Sequence, residues 1–374
     1  MMVKKLFNTS KSVSAIGQGT GIGGYLAKKA SYGNEYIFAL KYGIDLGMTF
    51  IDTAEDYGNG DAEKVIGEAI SCIRDEVFIA TKVSPVNLAY DNVLRSVDAS
   101  LGRLKTDYID LYQIHWPNPK IPMDETMRAM EQLVAQGKIK YIGVCNFTLR
   151  ELKEADSILK NNRIASIQVE YNISDRSIEN DILPYGERKG ITIIAYSPLS
   201  RGEIVNRHEK FKCLQEIAYK YKKAVAQIAL NWLISHPNVV AIPNATNHNH
   251  IRENAKSCDF ELSREDFEEI NNAFKNEHLH VVPERIRVVS SKNYQTYKTM
   301  EEAIENKLGF VPSPVDLAQD ISDGEILKPI KVVKSKDTTG NFDYDLVEGR
   351  VRYWAWVIAY NVEKSIPVYI IRDN

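Results

Sequence analysis

Residues 108–144, YIDLYQIHWPNPKIPMDETMRAMEQLVAQGKIKYIGV, decide the fold, because they contain a complete strand–helix–strand unit. Residues 108–112 and 139–144 are short apolar runs rich in β-branched and aromatic side chains, which are typical of buried strands. The apolar residues between the two runs recur at helical spacing: Met127, Met130, Leu133 and Val134. Gly137 then occupies the position of a helix C-cap. The stretch therefore predicts two parallel strands joined by a helix.

Runs of the same kind recur along the chain at intervals of roughly 30 residues, the length of one strand–helix unit. They are residues 13–16, 49–52, 77–81, 108–112, 139–144, 166–169, 191–195 and 239–242. Eight such units predict a closed (β/α)8 barrel, the TIM-barrel fold of the α/β class. An open doubly wound sheet is the alternative, although that fold usually has fewer strands and a phosphate-binding first turn.

Composition excludes several classes of protein. The chain has 374 residues, of which 44% are hydrophobic and 26% charged, so extensive disorder is not expected. Its formal net charge of -3 argues against a strongly basic nucleic-acid binder. No apolar run is long enough for a membrane span or a signal peptide. The four cysteines are scattered, which indicates a reducing, cytoplasmic environment and neither a disulfide framework nor a zinc ribbon.

A glycine-rich segment follows the first predicted strand. Gly19, Gly21 and Gly24 match the GxGxxG pattern of dinucleotide-binding Rossmann folds. In that fold an acidic residue follows about 20 positions later, whereas Asp52, at the end of the second predicted strand, lies further on. The pattern is weak by itself, and we expect a tight first turn at the mouth of a barrel.

Four polar residues lie at or just beyond the ends of consecutive predicted strands: Asp52 and Tyr57, Lys82, and His115. In a barrel these ends are neighbours at one rim, where active sites lie. The Lys82 cation is expected to lower the pKa of Tyr57, while Asp52 holds the lysine charged. His115 can orient a substrate oxygen, which leaves Tyr57 as a proton donor to that oxygen. This set of groups suits carbonyl reduction if a hydride donor lies alongside.

The same residues carry a resemblance to the aldo-keto reductases. The matching motifs are DTAxxYG at residues 52–58, TK at 81–82, QIHWP at 113–117, GVCNF at 143–147, QVEYN at 168–172 and AYSPL at 195–199. They follow the order and spacing of the family over roughly residues 1–275. The resemblance implies a barrel that binds a nicotinamide cofactor without a Rossmann domain. It also implies that Tyr57 is the general acid, supported by Asp52, Lys82 and His115.

The resemblance further implies a set of cofactor contacts. These are Gly19, Thr20, Asp52, Asn146, Gln168, Tyr196, Ser197, Leu199, Arg201, Gly202, Asn244, His250, Glu253 and Asn254. Asn146 and Gln168 match carboxamide contacts, and Tyr196 matches the ring that stacks on the nicotinamide. The segment from Ser197 to Gly202 matches the pyrophosphate loop.

The chain departs from the pattern of the family in three places. Cys145 replaces a serine beside the carboxamide position. Asn244 and His250 replace the lysine and arginine that hold the 2′-phosphate of NADP in many members. Since charge-assisted bonds to phosphate are the strong ones, we expect a weakened preference for NADP, with NAD as an alternative cofactor.

The main hypothesis is an NAD(P)H-dependent oxidoreductase that reduces an aldehyde or ketone, such as a sugar derivative, to an alcohol. One alternative is a barrel aldolase that forms a Schiff base on Lys82, which requires a neutral amine. Another is a cofactor-sensing scaffold that acts through its C-terminal region. Trp116 and Tyr25 are candidates for lining the substrate pocket. No metal site is expected, and the oligomeric state is open.

The C-terminal region is expected to form a separate module. We place the barrel in residues 1–284 and a small α+β domain in residues 285–374, with apolar runs at 330–333, 344–347 and 366–371 and a helix through 353–359. Its segments 327–332, 346–355 and 366–368 are similar to the ParB/sulfiredoxin-like superfamily. That similarity implies nucleotide binding at the turn before the helix, beside Arg350. The segment carries no net charge, which argues against DNA.

Overall fold

The computed structural model describes residues 1–6, 9–21, 33–206, 211–274, 279–288, 295–310, 312–323, 328–336 and 339–370. The chain divides into two compact units, Met1–Lys275 and Asn276–Asn374. The boundary predicted from the sequence lies after residue 284. Residues 279–281 nevertheless form a strand of the second unit's sheet, because they pair with residues 366–368.

The first unit is built on an eight-stranded parallel sheet. An antiparallel hairpin, β1 (Val3–Lys5) and β2 (Ser12–Ser14), precedes it. The sheet strands are β3 (Gln18–Gly19), β4 (Phe50–Asp52), β5 (Phe78–Val83), β6 (Ile109–Ile114), β7 (Ile139–Cys145), β8 (Ile164–Glu170), β9 (Thr192–Tyr196) and β10 (Val239–Ala241). Each strand pairs with the next in chain order. A bridge between Ile16 and Ala241 and a hydrogen bond from Gly17 N to Ala241 O link the two edges, so the sheet closes into the predicted (β/α)8 barrel.

The prediction of the first barrel strand at residues 13–16 is wrong. Val13 and Ser14 pair with the chain's own N-terminus in the hairpin, and Ile16 contributes an isolated bridge. The barrel strand is the two-residue Gln18–Gly19. The reason is that the apolar run forms a local hairpin with β1, and periodicity indicates a strand without showing which partner it takes. The other seven predicted strands are confirmed.

Helices surround the barrel. They are α1 (Asn34–Asp45), α2 (Asp61–Ala69), α3 (Tyr90–Leu104), α4 (Met123–Ala135), α5 (Leu149–Ile158), α6 (Ile182–Lys189), α7 (Glu203–Asn206), α8 (Lys212–Tyr221), α9 (Val225–Ser235), α10 (His248–Ala255) and α11 (Arg264–Ala273). Local sequence sets their ends: Thr148 and Glu151 form a capping box at the start of α5. Apolar helix faces and strands share one large core. A smaller core lies between inward-facing strand residues, with Phe50 stacked on Phe78 at 5.3 Å.

The second unit has an α+β arrangement of its own. Its strands are β11 (Leu279–Val281), β12 (Ile286–Arg287), β13 (Ile330–Lys334), β14 (Tyr344–Glu348) and β15 (Ile366–Ile370), in the sheet order β11-β15-β13-β14-β12. Its helices are α12 (Met300–Ile304), α13 (Pro314–Ser322) and α14 (Arg350–Tyr360). Buried apolar residues from strands and helices form a separate core. Nε and Nη2 of Arg287 donate to the two carboxylate oxygens of Asp345 at 2.7 and 2.8 Å and reinforce the pairing of β12 with β14.

Among the helices that the structure describes, not one combines the length and the apolar character needed to cross a bilayer.

Candidate active site

Three neighbouring strands carry the four predicted catalytic side chains to one rim of the barrel. Asp52 is the last residue of β4, Lys82 lies near the end of β5, and His115 follows β6 directly. Tyr57 begins a short turn after β4, in which Gly58 and Asn59 have positive φ angles of 59° and 55°. Because parallel strands end on the same side, the side chains meet there.

A buried ion pair lies at the centre of the site. The Nζ atom of Lys82 donates to Oδ1 of Asp52 at 2.7 Å and to the carbonyl of Thr53 at 2.8 Å, and Lys82 is 0% exposed. The second carboxylate oxygen accepts a hydrogen bond from Nε2 of Gln168 at 2.7 Å. Burial is the largest single effect and lowers the pKa of Lys82, but the charge and hydrogen bond of Asp52, together with Tyr57 and Cys145, outweigh it and raise the pKa above its ordinary value. The lysine is therefore a fixed cation.

Tyr57 lies against this cation. The centroid of its ring is 5.1 Å from Nζ of Lys82, and the ring meets that of His115 edge-on at 5.7 Å. Burial raises the pKa of Tyr57, and the opposing effect of Lys82 is smaller. The expectation of a lowered pKa is thus wrong, because the loss of hydration outweighs the attraction of the cation. The phenol stays protonated at neutral pH and can donate a proton.

His115 is held at three points. Its backbone N–H donates to the carbonyl of Val83 at 3.0 Å, and its own carbonyl accepts from the Asn146 amide at 3.1 Å. The ring Nδ1 lies 3.1 Å from Oδ2 of Asp56. Sequence reasoning missed Asp56, although an acidic residue directly before Tyr57 was a usable signal. The hydrogen bond with His115 holds the pKa of Asp56 below its usual range.

The predicted carboxamide contacts lie next to this cluster. The hydroxyl of Tyr196 donates to Oδ1 of Asn146 at 3.0 Å, and Asn146 has a positive φ of 61°. Gln168 is buried, and its amide donates to Asp52 in addition to lying 3.8 Å from the sulfur of Cys145. Burial raises the pKa of Cys145 to about 12, so the thiol is neutral. The rim thus presents two side-chain amides and an aromatic ring beside the proton donor.

The predicted pyrophosphate loop turns back on itself after β9. Ser197, Arg201 and Gly202 have positive φ angles of 48°, 54° and 91°. Asn172 ties the loop down: its Nδ2 donates to the carbonyl of Ser197 at 3.1 Å and its Oδ1 accepts from the Ser200 hydroxyl at 2.7 Å. Leu199 packs against the main core.

The predicted 2′-phosphate and adenine contacts lie at α10. Asn247 caps this helix through the backbone N–H groups of Asn249 and His250. Asn244 is exposed, and its amide donates to the carbonyl of Gly21 at 3.0 Å. His250 is exposed and Glu253 is partly exposed, whereas Asn254 is buried. Arg252 is the cation nearest in sequence to Asn244 and His250, and its guanidinium donates to Oδ1 of Asn249 at 2.9 Å.

The glycine-rich segment packs at the mouth of the barrel. A Cβ atom at Gly19 would lie 2.8 Å from the carbonyl of Ile242, and one at Gly21 would lie 3.0 Å from the Tyr57 ring. Thr20 is buried and donates from its hydroxyl to the carbonyl of Asp52 at 2.9 Å. Close approach thus accounts for the first two glycines of the pattern. Gly24 and Tyr25 lie outside the described residues, and Trp116 is 45% exposed.

Within the parts of the chain that the structure describes, no group of three or more His, Cys, Asp or Glu side chains is placed to hold a metal ion.

Known proteins with similar sequences and structures include several reductases. Methylglyoxal reductase YeaE of Escherichia coli K12 is 40% identical over 269 residues, which cover 72% of this chain and 93% of that protein. Glyoxal reductase of Bacillus subtilis is 36% identical over 258 residues, covering 69% and 90%. The crystal structure of the thermostable aldo-keto reductase Tm1743 with the inhibitor epalrestat matches with a TM-score of 0.68 and 44% identity, over 73% of this chain and all of that one.

A second solved structure adds a bound cofactor. An aldo-keto reductase from Klebsiella pneumoniae in complex with NADPH matches with a TM-score of 0.67 and 36% identity, over 73% of this chain and 96% of that one. The family model of the aldo/keto reductases matches residues 16–275, which contain every catalytic and cofactor-binding residue predicted above. The chain belongs to the aldo/keto reductase family.

Proposed function

We propose that the first unit reduces a small aldehyde or ketone to an alcohol with NADPH, and that 2-oxoaldehydes such as methylglyoxal are its substrates. The observation that supports this proposal most directly is the protonated Tyr57, which lies between the buried Lys82 cation and the His115 ring. The substrate class is supported by relatives named as methylglyoxal and glyoxal reductases.

The residues at the rim fit a nicotinamide cofactor. The Asn146 and Gln168 amides can hydrogen-bond a carboxamide, and the Tyr196 ring supplies a flat apolar surface for a stacked ring. Arg201, in the turned loop, supplies a cation for a pyrophosphate. When bound, NADPH supplies the hydride that the carbonyl carbon accepts. The Klebsiella structures with NADP and NADPH support this choice of cofactor.

Residues of this chain orient the carbonyl oxygen of the substrate and protonate it. Tyr57 donates its phenolic proton to that oxygen as negative charge develops there. Lys82 stabilises the phenolate that remains, and Asp52 keeps the lysine charged and in place. The His115 ring, edge-on to Tyr57, can hydrogen-bond the same oxygen and orient it.

The two alternative functions lack support. A Schiff-base aldolase needs a neutral amine, whereas the pKa of Lys82 is raised by the charge of Asp52 against the effect of burial. A scaffold that only senses cofactor has no need of a proton donor beside a buried cation.

Replacement of Tyr57 by phenylalanine tests the reaction directly. We expect kcat for methylglyoxal reduction to fall by about 10²–10⁴-fold, the contribution of a general acid, while NADPH still binds. Steady-state NADPH oxidation and a fluorescence titration measure the two effects. Tyr219→Phe is the matched control, because Tyr219 is 89% exposed. Activity of Tyr57→Phe within a few-fold of the wild type would refute the mechanism.

Cofactor preference is tested at the 2′-phosphate position. We propose that Asn244 and His250 leave NADPH only a modest advantage over NADH, since neither is a fixed cation. Introducing the missing charge as Asn244→Lys should tighten NADPH about tenfold, the equivalent of one charge-assisted bond, and leave NADH unchanged. Fluorescence titrations with both cofactors measure this. A wild-type preference already as strong as that of the variant contradicts the proposal.

We also propose that the second unit is a ParB/sulfiredoxin-like module that binds a nucleotide at the turn before α14. Gly349 has a φ of 97°, and Glu348 beside it is paired with Lys331 at 3.0 Å and Arg352 at 3.5 Å. Isothermal titration calorimetry with ATP tests this proposal. We expect the Arg350→Ala variant to bind ATP more weakly than the wild type. Absence of ATP binding by the full-length protein contradicts it.

We further propose a cytoplasmic location for the protein. Its cysteines, which include the exposed Cys72, are all unbridged, as expected in a reducing compartment.

A further inference from the structure

We propose that Asp56 is a positioning residue for His115, whose ring it holds with Nδ1 protonated and Nε2 directed at the substrate oxygen. The inference rests on the proposed carbonyl reduction, because it concerns how His115 meets that oxygen. Asp56 lies in the turn after β4, one residue before Tyr57, and its Oδ2 is 3.1 Å from Nδ1 of His115. It thus joins the loop of the proton donor to the residue after β6.

The turn that carries Asp56 is anchored to the segment that follows β5. The buried Ser84 side chain, directly after β5, contributes to lowering the pKa of Asp56. The neighbouring Glu55 holds the same turn: its Oε1 accepts from the backbone N of Ser84 at 2.7 Å and from the Asn87 amide at 3.0 Å. Asp56, whose side chain is 44% exposed, is thus held by its turn within hydrogen-bond distance of the His115 ring.

The direction of the hydrogen bond follows from charge. Asp56 is ionised at neutral pH, because the hydrogen bond with His115 and then the Ser84 contact lower its pKa. An ionised carboxylate can only accept, so the proton on this contact belongs to Nδ1. The backbone N–H and carbonyl of His115 are engaged by Val83 and Asn146. Nε2 is then the ring atom that remains to meet the substrate.

Other charges near the ring do not compete for this role. The Lys82 cation, which faces Tyr57, is paired with Asp52, and Tyr57 itself is neutral with its ring edge-on to the imidazole. Glu55 is occupied by Ser84, Asn87 and, at 3.5 Å, Ser96. Among the side chains described here, Asp56 is the carboxylate that contacts the imidazole of His115.

Nitrogen NMR of the histidine ring tests the assignment. In full-length protein labelled with [15N]histidine, the His115 signals are identified by their absence from His115→Asn. We expect a protonated Nδ1 in the wild type and in Asp56→Asn, whose amide oxygen can still accept. In Asp56→Ala we expect that state to be lost to a mixture of tautomers. Asp61→Asn, which removes an equal charge from the exposed Asp61, leaves the His115 spectrum unchanged.

Kinetics with methylglyoxal and saturating NADPH give the second readout. By analogy with the loss when the outer partner of a metal-bound imidazole is removed, we expect kcat of Asp56→Ala to fall about 10–100-fold, with a smaller loss in Asp56→Asn. The Kd for NADPH stays unchanged in both variants. A wild-type ring protonated on Nε2 alone, or an Asp56→Ala variant with unchanged spectrum and kcat, overturns the proposal. If the wild type reduces no carbonyl compound, the proposed function fails, while the spectra still decide whether Asp56 fixes the ring.

Discussion

At the scale of single residues, the site depends on how burial and charge oppose each other. Burial disfavours the charged forms of Lys82 and Tyr57 alike. Lys82 stays charged because Asp52 contacts it directly at 2.7 Å. Tyr57 gains less from the cation, whose Nζ is 5.1 Å from its ring centroid, and it stays neutral. Both buried groups thus keep their protons at neutral pH, Lys82 as a cation and Tyr57 as a neutral phenol that can donate its proton.

The raised pKa of Tyr57 predicts a difference between the two directions of the reaction. Reduction uses the phenol, which persists well above neutral pH, so Tyr57 causes no loss of kcat between about pH 6 and 9. Alcohol oxidation uses the phenolate, whose fraction rises about tenfold per pH unit below the pKa. Measuring kcat in both directions over this range tests the sign. If kcat for reduction falls with a midpoint below about pH 9, and the titration of Tyr57 causes that fall, the raised pKa of Tyr57 is contradicted.

At the scale of elements, close backbone contact fixes how helices pack around the barrel. Gly67 in α2 faces the end of α3: a Cβ there would lie 2.7 Å from the carbonyl of Arg103 and 2.8 Å from that of Leu104. The same region carries the ion pair of Arg103 with the buried Glu63, at 2.6 Å. Glu63 also accepts from the Thr81 hydroxyl of β5 at 2.6 Å, so α2, α3 and the strand that carries Lys82 are tied together.

Two glycines on neighbouring helices give a matched test of this packing. Gly67→Ala should lower the free energy of unfolding by about 1–3 kcal/mol, because the methyl group meets backbone atoms that cannot move aside. Gly102→Ala in α3 has no atom within 4 Å of the new Cβ and should stabilise the protein by up to about 1 kcal/mol through helix propensity. Urea unfolding measures both. Equal effects of the two substitutions would show that packing at Gly67 is loose.

At the scale of the whole molecule, the chain consists of two units, each with its own buried core. Every residue of the candidate active site lies in the first unit, within the segment that the family model covers. Domains with separate cores can fold alone.

Truncation after Lys275 tests that independence. The shortened protein should keep kcat and the Kd for NADPH within roughly threefold of the full-length values, because the first unit contains the complete site and core. Circular dichroism confirms folding, and the kinetic assay gives the outcome. A folded truncated protein without activity would show that the second unit takes part in catalysis.

The sequence predicted much of the barrel but not how it begins. Seven of the eight strands are where apolar runs of β-branched residues indicated, because a strand buried on both faces needs such a run. The run at residues 13–16 has the same pattern, yet Val13 pairs with Lys4 in the hairpin. Periodicity indicates that a segment is a strand but not which strand it pairs with, so it cannot distinguish the hairpin from the barrel.

The candidate site shows the same division. Asp52, Tyr57, Lys82 and His115 could be chosen from the sequence, since strand ends and residue types are both visible there. The contact of Asp56 with His115 could not, because it joins side chains 59 positions apart through the curvature of the turn. The family resemblance predicts Gln168 as a contact of the cofactor carboxamide, whereas its hydrogen bond to Asp52 could be found only from the fold.

The amino-acid sequence by itself determined the barrel class, the family and the residue types available for proton transfer, because these follow from local pattern and motif order. Only the tertiary structure decided the closure of the sheet through Ile16 and Ala241, the direction of the pKa shift of Tyr57 and the partner of His115. The physical reason is that hydration and charge at a buried group depend on everything within a few ångströms. Those neighbours come from distant parts of the chain.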